Sequence, residues 1–306
     1  MYVPMKVFLD DASKNYYGVP AINVVSMELA RGVINAAIAE NAPLILNIGE
    51  GQMSGHGHAN IMAPMIKSLA ENAPVPIALN LDHGKTWERI THTFRWGFSS
   101  IMIDASVYDL EENIARTKRV VDLCHPQGVS VEGEIGHVGQ AADGDGQTAD
   151  LFTKPADAVY FKEKTGVDAL AVAVGSAHGK YPDGFVPTLH FDLIREIKEA
   201  TGHMPLVLHG GSGSGDENMT KAVEAGINKV NICTDIWTAG RDYMVKTLAA
   251  NPKTDLMPLL QGYENAIKES AQHFMRVLKT SGKGSNFTWE SCREKDKEII
   301  YDKTGE

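Results

Sequence analysis

The chain has 306 residues, a formal net charge of −10 and only three cysteines, far apart in the sequence. The acidic balance argues against a nucleic-acid backbone or an anionic membrane surface as a partner. The cysteines form no C-x-x-C motif, and we see no basic leader and no apolar run of about 18 residues. We therefore expect a cytoplasmic protein with neither disulfides nor a membrane span.

Eight short apolar runs recur along the chain, and a stretch with helical periodicity separates each run from the next. The runs are continuous rather than alternating, which is typical of parallel strands covered on both faces. Glycines such as Gly97, Gly166 and Gly226 stand between a helical stretch and the following run, as helix C-caps do. The predicted strands are VPAINVV (19–25), PLILNIG (43–49), VPIALNLD (75–82), SSIMID (99–104), VSVEGEIG (129–136), DALAVAV (168–174), MPLVLHG (204–210) and NKVNICT (228–234).

Eight strand–helix units in one chain favour an α/β fold, the (β/α)8 TIM barrel. A doubly wound open sheet is the alternative, but no G-x-G-x-x-G motif follows the first strand. We predict one barrel domain over residues 1–284 and a charged C-terminal extension over 285–306. The aperiodic segment 139–155 follows the fifth strand and is predicted to be a lid over the barrel mouth.

Three of the predicted strands lead into a histidine followed by glycine: His83 in ALNLDHG, His178 in LAVAVGSAHG and His209 in PLVLHGGSGSG. Because the carboxyl ends of barrel strands meet at one mouth, we expect the three imidazoles to lie close together. A catalytic zinc site needs three protein ligands and an open fourth position. The pattern therefore predicts a zinc site, and three unrelated loop histidines are the alternative.

Acidic residues lie at the same strand ends. Asp82 is next to His83 in sequence but should point elsewhere, which suits a proton-transfer group facing a substrate. Glu132 and Glu134 are two apart on the fifth strand and so face one side. A buried ion pair would explain Glu132, whereas Glu134 and Asp104, at the end of the fourth strand, predict an accessory metal position.

Two motifs after the last two strands are typical of anion sites. The segment GGSGSG (210–215) is a glycine-rich turn leading into a helix, so its backbone N–H groups could hold a phosphate. The segment NICT (231–234) ends the eighth strand and supplies an amide and a hydroxyl. Barrels frequently build a phosphate site from these two loops, so the pair predicts a phosphorylated ligand.

Taken together, these motifs resemble those of the class II, zinc-dependent ketose-bisphosphate aldolases over about residues 1–284. The resemblance implies a (β/α)8 barrel, a homodimer or homotetramer, and reversible cleavage of a phosphorylated sugar into dihydroxyacetone phosphate and an aldehyde. It also implies Zn²⁺ as cofactor and a monovalent cation, Na⁺ or K⁺, near the substrate. The matching motifs are AINV (21–24), LDHG (81–84), IMIDAS (101–106), VEGEIG (131–136), VGSAHGKY (174–181), LVLHGGSGSG (206–215) and KVNICT (229–234).

The resemblance also implies roles for individual residues. The three strand-end histidines match the catalytic zinc ligands, and Asp82 matches the proton donor. Asp104 and Glu134 match a second metal position. The residues that match contacts to the dihydroxyacetone phosphate end and the monovalent cation are Asn23, Gly179, Gly210, Gly211, Ser212, Asn231, Ile232, Cys233 and Thr234.

The loop after the fifth strand departs from the family pattern. It reads GHVGQAADG (136–144), so Ala141 and Ala142 stand where carboxylates are expected. Either Asp143, Asp145 or His137 substitutes for them, or the chain is slow with the usual substrate. This loop and CHPQG (124–128) are closer to a branch of the family acting on atypical sugar phosphates.

A second departure follows the second strand, where fructose aldolases often have a serine that contacts phosphate. Here Gly49 and Glu50 occupy that place. Glu50 would repel a second phosphate, which predicts a substrate phosphorylated at one end only, or a longer sugar, and poor turnover of fructose 1,6-bisphosphate.

Two other functional classes fit these residues less well. A catalytically slow or non-catalytic subunit that supports a sugar-phosphate aldolase is the alternative function, although such a scaffold would have no use for three histidines and Asp82. A metal-assisted hydrolase usually carries H-x-H at the end of the first strand, which here ends in INVV.

Overall fold

The computed structural model describes residues 1–136, 138–140, 151–179, 181–182 and 184–292. Part of the predicted lid, including Ala141 and Ala142, lies outside these residues. The C-terminal extension beyond Cys292 also lies outside them. The same holds for the three candidate substitutes for the loop carboxylates, His137, Asp143 and Asp145.

Eight parallel strands form a closed barrel, which confirms the predicted (β/α)8 fold. Each strand pairs with its neighbour in chain order, and the eighth strand pairs with the first. The strands are β1 Val19–Asn23, β2 Leu44–Gly49, β3 Ile77–Gly84, β4 Ser100–Ile103, β5 Ser130–Ile135, β6 Ala169–Val172, β7 Leu206–Leu208 and β8 Ile227–Ile232. A small separate ladder joins Gly139–Gln140 to Ala177–His178.

Helices precede β1, connect the successive strands and follow β8. Their bounds are α1 Lys6–Asn15, α2 Met27–Glu40, α3 Glu50–Gly55, α4 Ala59–Glu71, α5 Trp87–Arg95, α6 Leu110–Cys124, α7 Pro155–Thr165, α8 Phe191–Ala200, α9 Asp216–Ala225, α10 Thr234–Ala250 and α11 Leu256–Val277. Within the described ranges, none of the helices combines the length and the apolar character that a membrane span requires.

Side-chain caps fix where several helices begin after a strand. Ser26 accepts a hydrogen bond from the Leu29 amide at the start of α2, and Thr86 accepts one from the Arg89 amide at the start of α5. Such caps satisfy amide groups that have no partner within the helix. The predicted C-cap at Gly166 is present, with a φ of +72° that suits glycine.

Two hydrophobic clusters hold the barrel together. The larger one includes strand residues such as Leu79 and helix residues such as Ile90, both fully or nearly fully buried. The second joins the barrel residues Ala21 and Ile45 to Phe8 of α1. The N-terminal segment thus packs with the inward-facing strand residues, and the cavities described below open at the carboxyl ends of the strands.

Candidate active site

The three strand-end histidines meet at the carboxyl ends of the strands. His83 lies in β3, His178 lies in the short strand after β6, and His209 directly follows β7. One ring nitrogen of each lies within 4.8 Å of the others. His209 Nδ1 is 3.0 Å from His83 Nε2. Three converging imidazole nitrogens are a donor set that suits a tetrahedral zinc ion with one open position.

A backbone irregularity explains why two sequence neighbours, Asp82 and His83, face the same cavity. Successive residues of a regular strand point to opposite faces. Here the pairing of β3 with β4 shifts register between Leu81 and Gly84, and His83 has a φ of +50°. That left-handed conformation is uncommon for a residue other than glycine, and bulges often redirect side chains near active sites. Both side chains therefore line one cavity.

The predicted accessory ligands lie beside His83. Asp104 Oδ2 is 2.9 Å from His83 Nδ1, and the Ser106 hydroxyl donates to Asp104 Oδ1 over 2.8 Å. Glu134 Oε2 is 3.9 Å from the same Nδ1 and has no hydrogen-bond partner among the described residues. Burial raises the pKa of Glu134 to about 8. His83, Asp104 and Glu134 therefore form a second set of possible metal donors.

A buried carboxylate supports His209 from the other side. Glu132 Oε1 is 3.0 Å from His209 Nε2, and Lys229 Nζ donates to Glu132 Oε2 over 2.5 Å. All three side chains are fully buried. Glu132 thus forms the buried ion pair that was one interpretation of the sequence. A carboxylate in this position fixes the histidine tautomer and directs Nδ1 toward the metal position.

Asp82 lies between the amide side chains of two residues predicted to bind substrate. Its Oδ2 accepts from Asn23 Nδ2 over 2.9 Å, and its Oδ1 accepts from Asn231 Nδ2 over 3.0 Å. Burial alone would raise the pKa of Asp82, but the nearby positive charges of His83 and Lys229 and the hydrogen bond from Asn23 lower it below its ordinary value. The carboxylate is therefore held ionised and fixed in orientation, as a proton acceptor requires.

The ring environments divide the histidines into two groups. Although burial opposes it, the charge of Asp82 and the hydrogen bond to Asp104 raise the pKa of His83 to about 9. Burial and the charge of His83 lower the pKa of His178 to about 4, and burial holds the pKa of His209 well below its ordinary value. His178 and His209 are therefore neutral near pH 7, which is the form that binds a metal ion.

A cavity of about 190 Å³ lies beside the histidines. Most residues predicted to bind substrate line it, but Gly211 and Ile232 are not among its lining residues. The Gly211 amide donates to the Asn231 carbonyl over 3.0 Å, and the Ile232 side chain is fully buried in the larger hydrophobic cluster. The lining residues are Asn23, Gln52, Asp82, His83, His178, Gly179, Gly210, Ser212, Asn231, Cys233 and Thr234.

The glycine-rich loop 210–215 is tied to the start of α10. The Ser212 hydroxyl accepts from the Cys233 amide over 3.1 Å and from the Asp235 amide over 3.4 Å. Gly210 has a φ of +68°, and a Cβ there would lie 2.2 Å from the Ala177 carbonyl oxygen. Only glycine fits at this position. The loop and the helix N-terminus thus face the same cavity, in an arrangement suited to a phosphate.

A second, larger cavity of about 630 Å³ shares Asp82, His83, His178 and Gln52 with the first. Gln52 was not predicted from the sequence. Its Oε1 accepts from the Gly49 amide over 2.9 Å and from Asn23 Nδ2 over 3.3 Å. The only signal for it was an amide side chain soon after the end of β2. Two of the candidate zinc ligands, His83 and His178, thus lie where the two cavities meet.

Comparisons with known proteins agree with this architecture. The family model described as "Fructose-bisphosphate aldolase class-II" matches residues 3–283. A Staphylococcus aureus protein named fructose-bisphosphate aldolase is 37% identical over 285 residues, which cover 92% of this chain and 98% of that protein. The protein YdjI of Escherichia coli K12, named as uncharacterized, is 35% identical over 284 residues, which cover 92% of this chain and 99% of YdjI.

Two solved structures share the fold closely. The crystal structure of the YdjI aldolase from Escherichia coli K12 has a TM-score of 0.82 and 33% identity, covering 93% of this chain and 100% of that one. The structure of a putative fructose-1,6-biphosphate aldolase from Coccidioides immitis has a TM-score of 0.79 and 28% identity, covering 92% and 97%.

Proposed function

This chain belongs to the class II fructose-bisphosphate aldolase family, and on that premise we propose that it is a zinc-dependent lyase. Its reaction is the reversible cleavage of a phosphorylated ketose into dihydroxyacetone phosphate and an aldehyde. The observation that carries the proposal is the meeting of three histidine nitrogens, within 4.8 Å of one another, beside the buried carboxylate of Asp82.

The donors present fit zinc. His83 and His209 direct their other ring nitrogens to Asp104 and Glu132, so the nitrogens 3.0 Å apart point toward a common position. His178 completes the set. Zinc bound there supplies a Lewis acid that draws electron density from the ketone of the substrate. The unpartnered oxygen of Glu134 supports an accessory position on the other side of His83.

Asp82 has the role of the base in cleavage. Its carboxylate takes the proton from the hydroxyl on the aldehyde-side carbon of the breaking bond, and that oxygen becomes the aldehyde carbonyl. The carbon–carbon bond breaks and its electron pair passes to the dihydroxyacetone phosphate half. A proton must then reach that carbon, and the candidate donors, His137, Asp143 and Asp145, lie outside the described residues. Condensation is the reverse sequence.

The phosphate end of the substrate occupies the smaller cavity. The backbone amides of Ser212 and Thr234 donate to no other described residue and hold the phosphate, and the Ser212 hydroxyl keeps the loop and the start of α10 together. Binding energy from this remote group holds the reacting bond in register with Asp82. The monovalent cation, the homodimer or homotetramer and the cytoplasmic location remain predictions.

A substrate panel tests the function. Release of dihydroxyacetone phosphate, coupled to a reporter dehydrogenase, is measured over ketose mono- and bisphosphates with zinc-loaded protein. We expect release from at least one ketose phosphate and poor turnover of fructose 1,6-bisphosphate. The finding that no ketose phosphate releases dihydroxyacetone phosphate would overturn the function. If fructose 1,6-bisphosphate were the best substrate, with kcat/KM on the order of 10⁵ M⁻¹s⁻¹ or higher, the substrate expectation would be wrong.

A further inference from the structure

The larger cavity has a cationic wall that the proposed reaction does not use. Arg89, in the first turn of α5, is partly buried and lines this cavity. No hydrogen bond or ion pair joins its guanidinium to another of the described residues, whereas Arg31 and Arg276 pair with Glu264 and Glu40. A guanidinium offers five donors in a planar fork that matches carboxylate and phosphate, so Arg89 lacks the partner it is suited to bind.

Glu50, an acidic residue of the same cavity wall, is already engaged. Glu50 Oε2 accepts from the Lys85 amide over 2.6 Å, and Glu50 Oε1 accepts from the Thr86 hydroxyl over 3.3 Å. The Glu50 carboxylate thus stabilises the start of α5 and is not paired with Arg89. Lys85 also lines the cavity and is exposed there, which adds a second positive charge to the same wall.

The position of this cationic wall relative to the reacting bond shows which half of the substrate would contact the wall. The two cavities join at Asp82, His83 and His178, so a ligand in the larger cavity is the aldehyde half of the substrate. That cavity is about 630 Å³, against about 190 Å³ for the half that holds a three-carbon phosphate. The larger cavity has room for an aldehyde of more than three carbons, with its end group lying beyond Glu50.

We propose that the aldehyde half of the substrate carries an anionic end group, a phosphate or a carboxylate. Arg89 binds this group with support from Lys85. This inference rests on the proposed function. Glu50 then has the role of excluding aldehydes whose anionic group would lie beside its carboxylate. An anion beside Glu50 without a cationic partner would be repelled, whereas pairing with the Arg89 guanidinium would offset that repulsion. Selection of the aldehyde thus combines an attractive group and a repulsive one.

Binding of unreactive analogues tests the proposal directly. Calorimetry is performed on zinc-loaded protein with dihydroxyacetone phosphate present, so that the smaller cavity and the metal position are filled. The probes are erythritol and sorbitol, their terminal phosphates, and the matching carboxylates erythronate and gluconate. We expect at least one anionic probe to bind at least tenfold more tightly than its neutral counterpart. The preferred probe identifies phosphate or carboxylate as the end group.

Matched variants assign the effect to Arg89. Arg89→Gln should weaken the preferred anionic probe by about 10- to 100-fold, the usual effect of losing a hydrogen bond to a charged group. Arg95→Gln makes the same change on the same helix, at an exposed residue that does not line the cavity, and should leave binding unchanged. Lys85→Met should produce a smaller loss. Neutral probes should respond to none of these changes.

The outcomes separate this inference from the aldolase function. The anion site would be overturned if neutral and anionic probes bound with equal affinity. It would also be overturned if the affinity of Arg89→Gln for the preferred anion were within about threefold of that of the parent chain. Condensation of dihydroxyacetone phosphate with neutral erythrose would still support the aldolase in that case. The converse result is that probe binding depends on Arg89 while no four- to six-carbon aldehyde condenses with dihydroxyacetone phosphate. That result would retain the anion site and overturn the function.

Discussion

Replacing Lys229 with methionine tests the buried contacts that support His209. Lys229 and Glu132 are both fully buried, and their charged atoms are 2.5 Å apart. Lys229→Met would leave the Glu132 carboxylate in the barrel without its cation. Removing one partner of a buried ion pair typically costs about 3–5 kcal/mol. That is a large part of the roughly 5–15 kcal/mol by which a domain is usually stable.

Thermal and urea unfolding of the metal-free protein measure this loss. At roughly 2 °C for each kcal/mol in a chain of this size, the midpoint should fall by about 6–10 °C. Lys221→Met is the matched control, because Lys221 pairs with Glu217 at the surface, where both side chains are more than half exposed. That control should change the midpoint far less, since exposed ion pairs contribute little to stability.

A double variant completes the cycle. Glu132→Gln together with Lys229→Met leaves no uncompensated charge, so it should be more stable than Lys229→Met alone. Glu132→Gln by itself should also weaken zinc binding by about 10- to 100-fold, because Glu132 orients His209. The reasoning would be refuted if Lys229→Met were as stable as Lys221→Met, or if the double variant were the least stable of the set.

Three further predictions concern single residues. Asp82→Ala should keep the fold and the zinc but lose at least about 10²-fold in carbon–carbon cleavage, the usual effect of removing a positioned acid–base group; a near-normal rate would transfer the role to another residue. Asp104→Ala should lower zinc affinity by about 10- to 100-fold in a competition assay, because it frees the His83 ring; unchanged affinity would mean that Asp104 does not orient that ring. Burial lowers the pKa of Lys198 from 10.5 to about 7, so the unfolded state binds more protons between these values and the free energy of unfolding should rise with pH from about 7 upward. Urea titrations at several pH values should show that Lys198→Met removes this rise, and a rise that persists would point to another group.

The fold and much of the candidate site could be predicted because both depend on local patterns. Strands buried on both faces read as continuous apolar runs, and the glycine at 166 marks a helix end. Barrel topology then brings the ends of separate strands together, so residues far apart in sequence, such as His83 and His209, were expected to meet.

What could not be predicted depends on contacts between distant segments. Nothing in the residue types at Asp82 and His83 indicates the bulge that turns both toward one cavity. A lysine within the apolar strand β8 was a signal for a buried partner, but only the structure identifies Glu132 as that partner. Likewise, the engagement of Glu50 by the start of α5 depends on how two loops approach each other.

Zinc content and dihydroxyacetone phosphate release, measured on the same sample, test the central claim most directly. The parent chain and His178→Ala are analysed as purified, after chelation, and after zinc is added back. We predict about one tightly bound zinc per chain, loss of cleavage on chelation, recovery with zinc, and little zinc or activity in His178→Ala. Cleavage that survives complete metal removal, or a His178→Ala protein that retains stoichiometric zinc, would contradict the account.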